Sequence, residues 1–172
     1  MINAYEMHGN GEAALSLFSQ MKNSGVGPDD ITFVSILSAC SHAGLLDKGQ
    51  MLFNYIAAEH GKQPGVEHYS CVDNLLGRTG HLHAAYDLVK SPPFKPSASL
   101  LESLLGACCI HGNIKLGKEI GERLSEIDPK NFNSYVMLSN IYTASGSWID
   151  AYRLRSEMEG EQLRKLLGFS LL

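Results

Sequence analysis

Apolar positions along the chain recur in a long register rather than in one short period. Five glycines, Gly9, Gly44, Gly80, Gly112 and Gly146, stand 35, 36, 32 and 34 residues apart. Eight residues before each stands Met1, Ile36, Val72, Leu104 or Leu138, and four before each stands Tyr5, Cys40, Leu76, Cys108 or Tyr142. Five residues after each glycine the side chain is small: Ala14, Gly49, Ala85, Gly117, Ala151. Eight after, it is aliphatic: Leu17, Leu52, Leu88, Ile120, Leu154. These offsets carry helical spacing on both sides of the glycine, so each unit predicts a helix, a tight turn and a second helix. Glycine suits the turn because it takes positive φ without a Cβ clash. The small residue is expected to let the two helices of a hairpin approach closely. Pro28, Pro64, Pro96 and Pro129 close the first four units, where a proline stops a helix.

The predicted helices are 2–8 and 11–24, 31–42 and 45–60, 67–78 and 81–90, 98–110 and 113–127, 132–144 and 147–160. One hairpin cannot bury its apolar face alone, so neighbours must stack. The fold expected is all-α, a right-handed α-solenoid of helix-turn-helix repeats. The expected units are 1–29 (truncated), 30–65, 66–97, 98–131 and 132–172.

Charge narrows the function classes. A net charge of −4 argues against bulk cationic attraction to nucleic acid, since phosphate neutralisation drives non-specific binding. Cys40, Cys71, Cys108 and Cys109 form no CxxC pair, which fits a reduced compartment better than a disulfide framework. No apolar run approaches the roughly 18 residues of a membrane span. The start, MINAYEMHGNGEAA, lacks arginine, does not read as a transit peptide and looks like the middle of a helix. The chain is therefore expected to begin inside a repeat.

Words in the sequence then carry a resemblance. ALSLFSQMKNSGVGPDDITFVSILSACSHAGLLDKG resembles one pentatricopeptide repeat running into a long-type repeat, and VEHYSCVDNLLGRTGHLHAAYDLV the short-type repeat after it. LLESLLGACCIHGNIKLGKEIGERLSEIDP and NSYVMLSNIYTASGSWIDAYRLRSEME resemble the first and second extension motifs of plant organelle editing factors. The whole chain thus resembles the C-terminal part of a PLS-class pentatricopeptide repeat protein with its extension domain. It departs from the family's GCSW-like close at Gly168-Phe169-Ser170-Leu171-Leu172, which has neither Cys nor Trp. The family's catalytic deaminase module would follow this point and is not in the sequence.

Zinc-dependent base deamination needs an HxE and a later CxxC, and neither occurs in the sequence. Cys108, Cys109 and His111 are the nearest metal-like cluster, and Cys108 falls at a buried offset. No GxSxG, phosphate loop or HExxH appears. No enzyme activity, metal or cofactor is expected. His42, His68, His81 and His83 read as helix-end or surface residues.

The resemblance implies one RNA base per repeat, read by the fifth and last residues of a unit. The fifth residues are Val34, Ser70, Glu102 and Val136, and the last are Asp29, Gly65, Ser97 and Asn131. Asp29 fits the family pattern best: its carboxylate can accept from the imino N–H of uracil or guanine. Its competing role is to N-cap the next helix. Ser70 with Ser97 offers a weaker polar pair, Val34 with Gly65 offers none, and Glu102 would repel phosphate. The implied RNA-binding residues are therefore Asp29, Ser70, Ser97 and Val34. The implied partners are single-stranded organelle RNA, in the intact parent protein, and editing cofactor proteins or a deaminase supplied in trans. No membrane or DNA partner is implied, and the compartment is a mitochondrion or chloroplast. The function expected is RNA binding and partner recruitment in C-to-U editing. The alternatives are a protein-interaction scaffold without RNA contact, and organelle RNA processing or splicing.

Overall fold

A computed structural model describes residues 10–59, 64–90 and 97–160. The described residues form helices α1 (Gly11–Asn23), α2 (Asp30–Ala43), α3 (Leu46–Glu59), α4 (Val66–Arg78), α5 (Leu82–Lys90), α6 (Ala98–His111), α7 (Ile114–Ile127), α8 (Phe132–Ala144) and α9 (Trp148–Gly160). Among them there is no strand. The fold is an all-α helical-repeat solenoid, and each of these helices lies within a residue or two of its sequence-based span. The expected helix 2–8, Gly9 and the tail 161–172 lie outside the described residues.

Each turn glycine that is described adopts the left-handed conformation, with φ of 66° at Gly44, 80° at Gly80, 67° at Gly112 and 72° at Gly146. At Gly44 the next amide, Leu45 N, donates back to Cys40 O at 2.9 Å, and Asn113 N does the same to Cys108 O at 3.0 Å. These bonds satisfy carbonyls that the helix end would otherwise orphan. A Cβ would find empty space at Gly44 and Gly112, so glycine is needed there for its backbone and not for packing.

The chain divides into two compact units, 1–96 and 97–172. In the first, α2 packs against α1, α3 and α4, and α4 also packs against α3 and α5. Its core is built from Phe33, Ile36, Leu37, Leu52, Val72 and Leu75, all buried. In the second, α8 packs against α6, α7 and α9. Its core holds Leu101, Leu104, Ile120, Leu124, Leu138 and Ile141. Among the described residues, the main helix contacts in each unit lie within a hairpin or between neighbouring hairpins, as stacking of incomplete hairpins requires.

The small residue five after the turn has a more specific job than close approach within a hairpin. A Cβ on Gly117 would lie 3.4 Å from Cys108 Cβ in its own hairpin but 2.5 Å from Ile141 Cδ1 in the next. A Cβ on Gly49 would likewise collide with Leu75 of the following hairpin, and only touch Cys40 of its own. The small residue is thus chiefly a socket for the first helix of the next hairpin.

Candidate functional site

The helix starts carry the residues singled out by the sequence. Asp29 precedes α2 in an extended conformation, and its Oδ1 accepts from Thr32 N at 2.8 Å. Ser97 Oγ accepts from Leu100 N at 3.3 Å at the start of α6, and Asn131 Oδ1 from Ser134 N at 3.0 Å at the start of α8. Each satisfies one donor that a helix N-terminus leaves over, typically worth ~1 kcal/mol. Gly65 has no side chain to offer before α4. There the polarity is reversed, and His68 Nδ1 accepts from Gly65 N at 3.0 Å. His68 is therefore a buried helix-start residue; it is not on the surface.

The capping role of Asp29 is thus present in the fold. The carboxylate remains exposed, and Thr32 Oγ1 also donates to it. Val34 lies five residues on, half-buried on α2. Ser70 occupies the same place on α4, half-buried, with its hydroxyl donating to Val66 O at 2.9 Å. Helices α2 and α4 pack together. Cys71 Sγ lies 3.7 Å from Val34 O, so Val34 and the Ser70–Cys71 step meet along one seam of the first unit. Ser97 belongs to the second unit.

In the second unit the corresponding seam runs between α6 and α8. A shallow groove of about 430 Å³ opens there, lined by Ser99, Glu102, Ser103, Phe132, Val136 and Met137 among others. It carries one carboxylate, a largely apolar floor and no cation. Sequence reasoning named Glu102 and Val136 but not Phe132, one turn before the fifth position of α8, or Met137, the residue after it. A smaller cavity of about 190 Å³ lies among Cys108, Cys109, Gly112, Ile114, Ile141 and Ala144.

Cys108 and Cys109 are adjacent but point to different surroundings, one buried and one exposed. Burial pushes the Cys108 thiol up to about 12 and the Cys40 thiol up to about 11. A thiolate is the form that ligates metal or attacks, so neither is poised for either role. Among the described residues no three His, Cys, Asp or Glu side chains gather closely enough to hold a metal ion.

One buried acid was not anticipated. Asp73 on α4 is 1% exposed, and neither carboxylate oxygen has a hydrogen-bond partner. Desolvation raises its pKa to about 7. The signal was available in the register: seven residues before the turn glycines stand Leu37, Asp73, Leu105 and Ser139.

The sequence matches two family descriptions, "PPR repeat family" over residues 1–56 and "E motif" over residues 111–172. Similar curated proteins are pentatricopeptide repeat-containing proteins of Arabidopsis thaliana. One named as mitochondrial is 48% identical over 172 residues, covering 100% of this chain and 26% of that protein. Another is 43% identical over 172 residues and covers 25% of its length. One named as chloroplastic is 41% identical over 170 residues, covering 99% of this chain and 23% of that protein. The chain thus spans about a quarter of the length of these relatives. Among solved structures, the maize pentatricopeptide repeat protein PPR10 is similar, with TM-score 0.73 and 22% identity, over 94% of this chain and 24% of that one. The same protein in complex with an 18-nt psaJ RNA element gives TM-score 0.55 and 22% identity, over 99% and 23%.

Proposed function

Since the chain belongs to the pentatricopeptide repeat proteins that carry an E motif, we propose that it is part of a plant organelle RNA-binding protein acting in C-to-U editing. In this reading the chain supplies binding and leaves the chemistry to another module. The repeats at 30–65 and 66–97 face single-stranded RNA, with Asp29, Val34, Ser70 and Ser97 as the residues that would contact it. The extension motifs, 98–131 and 132–172, recruit protein.

The observation that carries this division is the composition of the seam between α6 and α8. A surface that follows a phosphate backbone needs cations. This groove instead offers Glu102 beside Phe132, Val136 and Met137. Anion plus apolar floor suits a protein partner, because burial of apolar area drives association while the carboxylate selects its partner's charge. The resemblance to PPR10, whose structure was determined with an RNA element, supports RNA as the ligand of the repeat units.

The test is a truncation in the intact parent protein. Removing residues 98–172 is expected to abolish editing at the target while leaving RNA affinity within a few-fold. A folded truncated protein with a large loss of RNA affinity would overturn the division of labour. Retained editing would overturn the recruitment role.

A further inference from the structure

Helix α5 is the shortest of the described helices. It has nine residues, where the others have 13 or 14. Pro92 and Pro93 stand just beyond it, and prolines there end a helix. A helix of that length is marginal by itself and depends on the surface it lies on. Within the first unit its main contact is α4, whereas α3 is held by both α2 and α4. Leu82, Ala85, Tyr86 and Val89 form the buried side of α5.

The repeat register places Asp73 beneath that side. In the α8–α9 hairpin, Ser139 stands seven residues before the turn glycine and Arg155 nine after it. These two positions meet: Arg155 Nε donates to Ser139 Oγ at 2.8 Å. In the α4–α5 hairpin the same two positions are Asp73 and Val89. Both are buried, and neither oxygen of Asp73 has a hydrogen-bond partner. An aliphatic side chain thus stands where the α8–α9 hairpin has a cation. Nothing else compensates. The charged side chains described on the helices packed against α4 are exposed: Asp30 and His42 on α2, Asp47 and Lys48 on α3, His83, Asp87 and Lys90 on α5. The remaining titratable groups described there, Cys40, Tyr55 and Tyr86, do not bond the carboxylate. On α4 itself Glu67 and Arg78 are exposed, and His68 accepts from Gly65 N. Tyr69 packs edge-on against Phe53 of α3, and Cys71 Sγ lies near Val34 O of α2. Burial is what raises the Asp73 pKa to about 7.

From the short helix, the register and the missing cation, we propose that α5 is a latch over Asp73, seated on α4 while the carboxyl is protonated and released when it ionises. Release takes one proton from Asp73 and returns the carboxylate to water, the one medium here that can solvate it. Helix α4 stays in place, because α2 and α3 hold it independently of α5. The second helix of the repeat at 66–97 is thereby a pH-dependent element. The latch rests on the fold alone and stands or falls independently of the RNA-binding reading.

The test is amide hydrogen exchange read by mass spectrometry on the full-length protein from pH 5 to pH 8, corrected for the intrinsic pH dependence of exchange. Amides of α5 are expected to be about tenfold or more less protected than those of α2 and α4, since a locally opening helix exchanges before its unit unfolds. Their protection should fall about tenfold per pH unit from pH 5 to pH 7 and level off above, as the loss of one proton on opening requires. In Asp73→Asn, which cannot ionise, the protection of α5 should no longer depend on pH. The wild-type series decides by itself if that variant does not fold. Protection of α5 equal to that of α2 would show that the whole unit opens together, and the latch would be refuted. Protection of α5 that is indifferent to pH in the wild type, or that keeps its slope in a folded Asp73→Asn, would refute it too.

Discussion

Asp73→Leu is expected to stabilise the protein and to remove a pH dependence from its folding. The carboxylate is shut away from water with both oxygens unpartnered, so its charged form is disfavoured in the fold. Its pKa moves from 3.8, the ordinary value, to about 7. The folded state therefore holds a proton that the unfolded chain releases from about pH 4 upward. Stability is full below pH 4, falls as pH rises through that window, and levels off above pH 7. A displacement of about three units is worth about 4 kcal/mol, a large share of a typical 5–15 kcal/mol. Leucine fits the site, because Leu37 and Leu105 fill the same register position and are fully buried. Melting curves followed by far-UV circular dichroism at pH 5 and pH 8 give the answer. Wild type should melt lower at pH 8, and Asp73→Leu should melt several degrees above wild type there, with a smaller difference at pH 5. The wild-type minus variant difference is the decisive quantity, because it cancels every group the two proteins share. A variant no more stable than wild type at pH 8, or with an unchanged pH slope, would refute the reasoning.

Leu52→Asp should unfold or aggregate the protein, since Leu52 is buried in the first unit and a lone carboxylate there costs several kcal/mol; a melting point within a degree or two of wild type would contradict this. A thiol reagent at pH 8 should modify the exposed Cys109 first and reach Cys40 and Cys108 only on denaturation, because burial holds their thiols protonated; mass mapping after a short exposure reads the order. In the parent protein, Asp29→Asn should keep the helix cap and change which base is preferred at one target position, as an acceptor-only group gains a donor. A binding selection with unchanged preference would reduce Asp29 to its capping role.

The helices and turns were legible in the sequence because each rests on local rules repeated several times. A glycine that must take φ near 70°, flanked by apolar residues at helical spacing, leaves little choice of structure. What was not legible depended on the neighbouring hairpin. The small residues at Gly49 and Gly117 read as intrahairpin contacts, yet the next hairpin's leucine and isoleucine set their size. Asp73 was not singled out, because its burial follows from its register position and the packing of α4. The groove between α6 and α8 pairs residues some thirty positions apart, and no single stretch of sequence announces Phe132 beside Glu102. Asp29, Ser97 and Asn131 sit immediately ahead of the first helices of their hairpins. Their capping bonds account for the residue types at 29, 97 and 131 without any ligand.

Those capping bonds have a consequence for how such an array diversifies. The position ahead of each first helix is filled by Asp29, Gly65, Ser97 and Asn131. Helix initiation admits few residue types there: aspartate, asparagine, serine, threonine and glycine. Any ligand contact made from that position is drawn mostly from this short alphabet, because a leucine or lysine would cost the array about 1 kcal/mol of helix capping. Gly65 has no side chain to cap with, and there His68 Nδ1 accepts from the Gly65 amide instead. A solenoid built this way can vary its recognition residues quickly and without touching its core. The variation, however, moves through a vocabulary of small hydrogen-bonding side chains that folding has already censored.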